Sequence, residues 1–386
     1  MMRKSASNAL RSLSVCRTRT LLHAVTFLAL VLLCSNRVCA AGAASDQPEQ
    51  LWKHELEMST SFLSVAPNGN LYVLESQGPP GGSKLVVYDP KGTLLWQQTY
   101  RLWGANSAPI FAPNGTAYVL AGDRVTAVAP DGRSFWSYTI LAQLDQLKPF
   151  TNCLSLGPDG TLYSGGAYLY AFHPDGTLKW QTRLKDRVPV SCPAFSAKGQ
   201  LFVSSEKGLH RLSIDGQELE LLRDTAPNAK PAGTHEGAMF FIGRVAMGSY
   251  RQDNALFAVG DDGKLLWQFA QGPRVAGVLF TRQGVVVAGG VMDLLDAKGQ
   301  PVWSLETPIN ALPAALPDGT LLGGCSEGAD ICAYDAKGEI RWYFAQANNF
   351  RNYLPTPIAA GPHGEVYFVK GTVLVALLPP RANRRK

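Results

Sequence analysis

The sequence predicts an all-β fold, a ring of four-stranded antiparallel blades closed by its own N-terminal strand. Three observations predict it. First, a glycine is followed four residues later by tryptophan at Gly92/Trp96, Gly132/Trp136, Gly176/Trp180, Gly263/Trp267, Gly299/Trp303 and Gly338/Trp342. With Glu220 standing at the same offset from Gly216, successive positions lie 36 to 47 residues apart. Second, a tight-turn phrase precedes each copy. Third, the last repeat lacks one strand, and the start of the chain supplies a match for it. Together these describe an eight-bladed β-propeller.

Each unit reads strand, Asn/Asp-Gly turn, strand, variable connection, strand, Asp-x-x-Gly turn, strand bearing Trp. Glycine adopts positive φ without steric cost and Asn or Asp tolerates it, so such phrases mark tight hairpins. The first turns are Pro67-Asn68-Gly69, Pro113-Asn114-Gly115, Pro158-Asp159-Gly160, Ala197-Lys198-Gly199, Arg282-Gln283-Gly284, Pro317-Asp318-Gly319 and Pro362-His363-Gly364. Ile242-Gly243 is the weakest match and is assigned to the fifth blade. In the last unit only Glu365–Lys370 and Thr372–Leu378 follow the turn, while Gln50-Leu51-Trp52 resembles Leu94-Leu95-Trp96. Trp52 therefore fills the eighth position, and the N-terminal strand joins the last blade, removing an open sheet edge. Trp103 alone falls outside the pattern.

The formal charge of +6 does not indicate a nucleic-acid partner. Arg3, Lys4, Arg11, Arg17, Arg19 and Arg37 lie in residues 1–40, which hold no acidic residue, and Arg381, Arg384, Arg385 and Lys386 end the chain. The remaining body carries 26 basic against 30 acidic residues, a net charge of −4. No basic face is visible at this level.

The N-terminus reads as a signal peptide: a basic lead to Arg19, the apolar run Leu21–Cys34, and Val38-Cys39-Ala40 as the cleavage site, with Ala41-Gly42-Ala43 as the alternative. The apolar run is too short to span a bilayer comfortably; an uncleaved anchor is the alternative. The expected organisation is a signal peptide at 1–40, a linker at 41–49, the propeller at 50–380 and a basic tail at 381–386.

The phrase Ala333-Tyr334-Asp335-Ala336-Lys337-Gly338-Glu339-Ile340-Arg341-Trp342 resembles the repeat of pyrroloquinoline-quinone-like eight-bladed propellers, over residues 51–378. The resemblance implies that Trp52, Trp96, Trp136, Trp180, Trp267, Trp303 and Trp342 each dock on a neighbouring blade. It also implies two functional classes. Quinoprotein dehydrogenases of this fold hold the quinone and calcium in the channel, using an adjacent cysteine pair and an acidic calcium site; no adjacent cysteines occur here. Non-enzymatic relatives nearer in size include the propeller lipoprotein of outer-membrane β-barrel assembly, a scaffold. The lipid-anchor pattern of that protein is missing, because Leu33 precedes Cys34 and Val38 precedes Cys39.

The two short turns of each blade share one face of the ring; the opposite face carries the connections that vary. Variable loops on a rigid frame are where binding usually resides. Trp103, Tyr250, Arg251, Arg274, Phe350, Arg351 and Tyr353 are the candidate contacts there, since aromatics and arginine dominate interface hot spots. Metal and catalytic motifs are thin: the histidines are scattered, each Asp-x-x-Gly turn supplies one carboxylate where calcium wants six to eight oxygens, and His235-Glu236 lies before an innermost strand where it could reach the channel. Cys325 and Cys332 flank the loop of one middle hairpin, within bridging reach. Cys153 and Cys192 hold equivalent places on adjacent innermost strands, as a bridge between blades or as two buried thiols. The sequence therefore points to an exported, monomeric, non-enzymatic scaffold without cofactor, membrane span or nucleic acid, binding a protein or peptide. A quinoprotein oxidoreductase with pyrroloquinoline quinone and calcium is the alternative.

Overall fold

The computed structural model describes residues 47–380 apart from 77–81, 101–107, 122–123, 141–152, 186–189, 224, 228, 247–251, 271–274, 276, 290, 307–312, 326–328 and 346–356. The expected signal segment and basic tail lie outside the described residues.

Eight four-stranded antiparallel sheets form the ring. The first blade runs from the innermost strand Ser59–Val65 through Leu71–Ser76 and Ser83–Tyr88 to the outermost, Leu94–Tyr100. The innermost strands of neighbouring blades approach one another around the ring. The last blade takes Ile358–Ala360, Val366–Lys370 and Val373–Leu378 from the C-terminal end, and Glu49–Glu55 completes it. That strand pairs from Glu49 opposite Leu378 to Glu55 opposite Val373, so the two ends of the propeller share one sheet.

The turns explain the repeated residues. In the first blade Asp89 Oδ1 accepts the backbone N–H groups of Lys91 (2.9 Å) and Thr93 (2.8 Å), while Gly92 N donates to Asp89 O at 3.0 Å. The aspartate is thus occupied in folding its own turn. A bulge follows at Val87/Tyr88 opposite Leu94 and Trp96, and the same irregularity recurs in the other six blades built on this turn. The extra residue sets which face the tryptophan side chain occupies.

The core is divided among the seams. Among the described residues eight apolar clusters occur, one between each pair of adjacent blades. Strand alternation feeds two seams from one strand: Tyr72 and Leu74 pack toward the second blade, Leu71 and Val73 toward the last. Central strands are consequently apolar on both faces, and Ala117–Ala121 is buried throughout.

One expected turn is corrected. In the fifth blade Ile242 and Gly243 lie inside the strand Ala238–Ala246; the hairpin turns at Glu236-Gly237, with φ of 47° and 81° and His235 paired with Ala238. A two-residue loop with both φ values positive matches the strand twist, and Glu in that conformation carries no conventional turn signature. His235 therefore ends an innermost strand instead of preceding one. Its ring stacks on Phe280, with centroids 5.5 Å apart.

Candidate functional site

The seams between blades determine what the ring leaves open. Six indoles donate across a seam to the carbonyl two residues before the next blade's turn glycine: Trp52 to Pro90, Trp96 to Pro130, Trp136 to Pro174, Trp180 to Ile214, Trp267 to Ala297 and Trp303 to Ala336, at 2.8–3.0 Å. The indole lies directly on that glycine. A β-carbon on Gly132 would stand 2.7 Å from the Trp96 ring, and one on Gly299 would stand 2.5 Å from that of Trp267. Trp342, 7% exposed, packs in the seam with the last blade, whose outer two strands come from opposite ends of the propeller and share no hairpin turn.

The seam between the fourth and fifth blades is different. Glu220 occupies the tryptophan position and pairs with Arg211 at 2.9 Å. Leu222 and Phe202 cover the turn at Gly263 instead. Polar contacts supplement them: Ala197 N donates to Asp261 Oδ1 at 2.9 Å, and Thr234 Oγ1 to Phe195 O at 2.9 Å. Two non-glycine residues with positive φ, Ala226 (43°) and Glu236 (47°), flank the fifth blade's innermost strand, Lys230–His235, which itself bulges between Pro231 and Gly233.

That strand borders a cavity of 960 Å³ in the central channel. The cavity is lined by the innermost strands of the third, fourth and fifth blades, with Phe62 and Ile110 from the first and second. Leu154, Leu156 and Phe195 make its wall apolar, and Lys230 is the one charged residue among its described lining. The disulfide Cys153–Cys192, Cα atoms 5.8 Å apart, lies in the wall and joins the third and fourth blades. Beside it a β-carbon on Gly165 would come within 2.4 Å of Ser191 O, so this glycine is needed for close backbone approach. A second disulfide, Cys325–Cys332, closes a separation of seven residues within the seventh blade.

The structure also assembles a group that the sequence reading missed. Ser205 Oγ lies 2.7 Å from His210 Nε2, and His210 Nδ1 lies 2.9 Å from Glu218 Oε1. The order matches that of a serine hydrolase triad. Its surroundings do not. His210 is 0% and Ser205 2% exposed, Ser205 Oγ also accepts Lys207 N–H, and Glu218 Oε2 accepts Lys185 N–H from the preceding blade. The hydroxyl has no open approach, and the chain of bonds ties three strands and a seam together. These residues sit 5 and 8 positions apart on successive strands, a spacing that has no motif and becomes visible only once the register is known.

Electrostatics at the turns are local. Burial opposes ionisation of Asp159, but hydrogen bonds from Thr161 and Lys179 outweigh it and hold the carboxyl below its ordinary value. Asp318 is held low against burial in the same way by Thr320 and Arg341. Burial alone pushes the Tyr72 hydroxyl up to about 12. Glu75, 2% exposed, is raised by burial despite accepting Met58 N–H and facing Lys84.

The described channel residues do not fit a calcium–quinone pair. The described lining of the cavity contains no carboxylate, and among the described residues no three His, Cys, Asp or Glu side chains are grouped to hold a metal ion. The candidate contacts Trp103, Tyr250, Arg251, Arg274, Phe350, Arg351 and Tyr353 all lie outside the described residues.

Fold, repeat and seams define an eight-bladed β-propeller whose repeat resembles that of pyrroloquinoline-quinone-like propellers. A family model described as outer membrane protein assembly factor BamB matches residues 36–139. Among solved structures, BamB from Moraxella catarrhalis aligns with a TM-score of 0.50 at 14% identity, covering 89% of this chain and 95% of that one. The Pan2 WD40 domain of Neurospora crassa aligns with a TM-score of 0.52 at 10% identity, covering 88% and 98%. Virginiamycin B lyase from Staphylococcus aureus aligns with a TM-score of 0.48 at 12% identity, covering 85% and 98%. At these identities the likeness is one of fold. No curated protein matches the sequence.

Proposed function

We propose that the chain is an exported, non-enzymatic scaffold that binds a protein or peptide partner on the face formed by its variable connections. The observation that carries this reading is the division of labour between the two faces. The tight turns of one face are occupied in fastening the ring, through the glycines that receive the indoles and the aspartates that cap their own turns. The variable connections of the other face are left to differ from blade to blade, the usual arrangement for recognition on a rigid frame.

The description of the matching family, an assembly factor of the outer membrane, supports a role in holding another protein. Two disulfides support an oxidising compartment. Trp103, Tyr250, Arg251, Arg274, Phe350, Arg351 and Tyr353 are the proposed contacts. The test is photo-crosslinking in intact cells, with the probe at Trp103 or Phe350 and, as control, at Lys91 or Lys264 on the turn face. Adducts of defined mass from the first pair alone are expected. Equal labelling from both faces, or none from the loop face, overturns the reading.

A further inference from the structure

We infer that the channel cavity is a binding site for an apolar monocarboxylate, with Lys230 as the anchor for its anionic end. Four observations converge on this one wall. The cavity volume of 960 Å³ lies at the upper end of the range for small-molecule pockets, about 300–1,000 Å³. Its wall is built from apolar side chains, among them Phe62, Ile110, Leu156 and Phe195. Lys230 is exposed to the channel and makes no ion pair or hydrogen bond through its side chain among the described residues. Ser155 Oγ, in the same lining, is a buried hydroxyl without a partner among those residues.

The strand that presents Lys230 is also the irregular one. It bulges immediately after the lysine, between Pro231 and Gly233, and left-handed Ala226 and Glu236 lie on either side of it. Bulges re-aim side chains, and strained non-glycine residues persist where the surroundings hold them and concentrate at binding sites. Its channel edge pairs with no strand, because Lys230–His235 is the terminal strand of its sheet. A lone ammonium beside apolar walls attracts an anion more strongly than one in bulk solvent. An apolar body fills the space toward Leu156 and Phe195, and a single carboxylate satisfies the lysine. A fatty acid or the free C-terminus of a short apolar peptide supplies that chemistry. This inference is independent of the loop-face partner, and either can fail alone.

Isothermal titration of the purified exported chain distinguishes the sources. The probes are octanoate, an apolar pentapeptide with a free C-terminus, and the same peptide amidated. One-site saturable binding is expected for octanoate or the free peptide, with affinity about tenfold lower in Lys230→Met and lower still in Lys230→Glu. Lys198→Met, at an exposed turn outside the cavity, leaves affinity unchanged. In the wild-type chain amidation reproduces the loss, a comparison that does not depend on any variant folding. Binding of octanoate alone assigns a lipid-like ligand, and binding of the free peptide alone assigns a polypeptide terminus. Absence of saturable binding by both carboxylates, or undiminished affinity in Lys230→Glu, overturns the site.

Discussion

Gly176 lies under the indole of Trp136. A β-carbon at Gly176 would stand 2.4 Å from the ring, and Trp136 Nε1 donates to Pro174 O at 2.9 Å. The glycine thus serves two ends: its φ of 89° closes its own turn, and its bare Cα receives the preceding blade. Gly199 separates the two effects, because its φ is 75° but a β-carbon there would meet nothing within 4 Å. Gly199→Ala is expected to cost about 1–1.5 kcal/mol from backbone strain alone. Gly176→Ala adds overpacking and is expected to cost about 3 kcal/mol in all. Chemical denaturation of both variants measures the difference, and equal losses refute the double role.

Ring closure rests on Trp52. Its indole donates to Pro90 O at 3.0 Å, and His54 reinforces the seam by lying 2.7 Å from Gly92 O and stacking on Tyr88. Trp52→Ala is expected to cost about 3 kcal/mol. Removal of residues 47–57 would leave Val373–Leu378 as an unpaired edge, for which self-association is the expected outcome. Size-exclusion chromatography detects it; a monodisperse monomer of the shortened chain argues against closure by this strand.

The disulfides should differ in worth. Cys153–Cys192 spans a sequence separation of 39 and Cys325–Cys332 one of 7. Loop-closure entropy assigns them about 4 and about 2.5 kcal/mol. The double variant Cys153→Ala/Cys192→Ala should therefore melt below Cys325→Ala/Cys332→Ala. The reverse order would show that local geometry outweighs chain entropy.

Glu75 gives the pH dependence. Burial raises its folded pKa above the ordinary 4.5, with the backbone N–H groups of Met58 and Glu57 and the charge of Lys84 opposing and the Glu57 carboxylate adding to the rise. Between the unfolded and folded values the native chain binds more protons, so stability falls as pH rises through that window. The penalty is complete above the folded pKa and absent well below 4.5. Glu75→Gln, whose amide oxygen still accepts Met58 N–H, should raise the melting temperature at pH 7. The gain should shrink as pH falls through the window, and a gain independent of pH would exclude this carboxyl as its source.

By itself the sequence determined the ring. Blade number, the two turn types, the missing strand and its replacement by the N-terminal strand around Trp52 follow from phrases such as Asp89–Trp96, because positive-φ glycines and period-two apolar runs are local requirements of the backbone. The fifth blade shows the limit: Glu236-Gly237 makes its turn without a recognisable phrase, and Gly243, the apparent substitute, lies mid-strand. Only the tertiary structure decided which partners those residues meet. That Gly176 answers to Trp136 and not to Trp180 is a relation across a seam, carried by two separate blades. Likewise, Lys230, Leu156 and Phe195 in one cavity wall, and Ser205 beside His210 and Glu218, are brought together by register and ring closure. Contacts of that kind depend on how strands are stacked, and no periodicity along the chain encodes them.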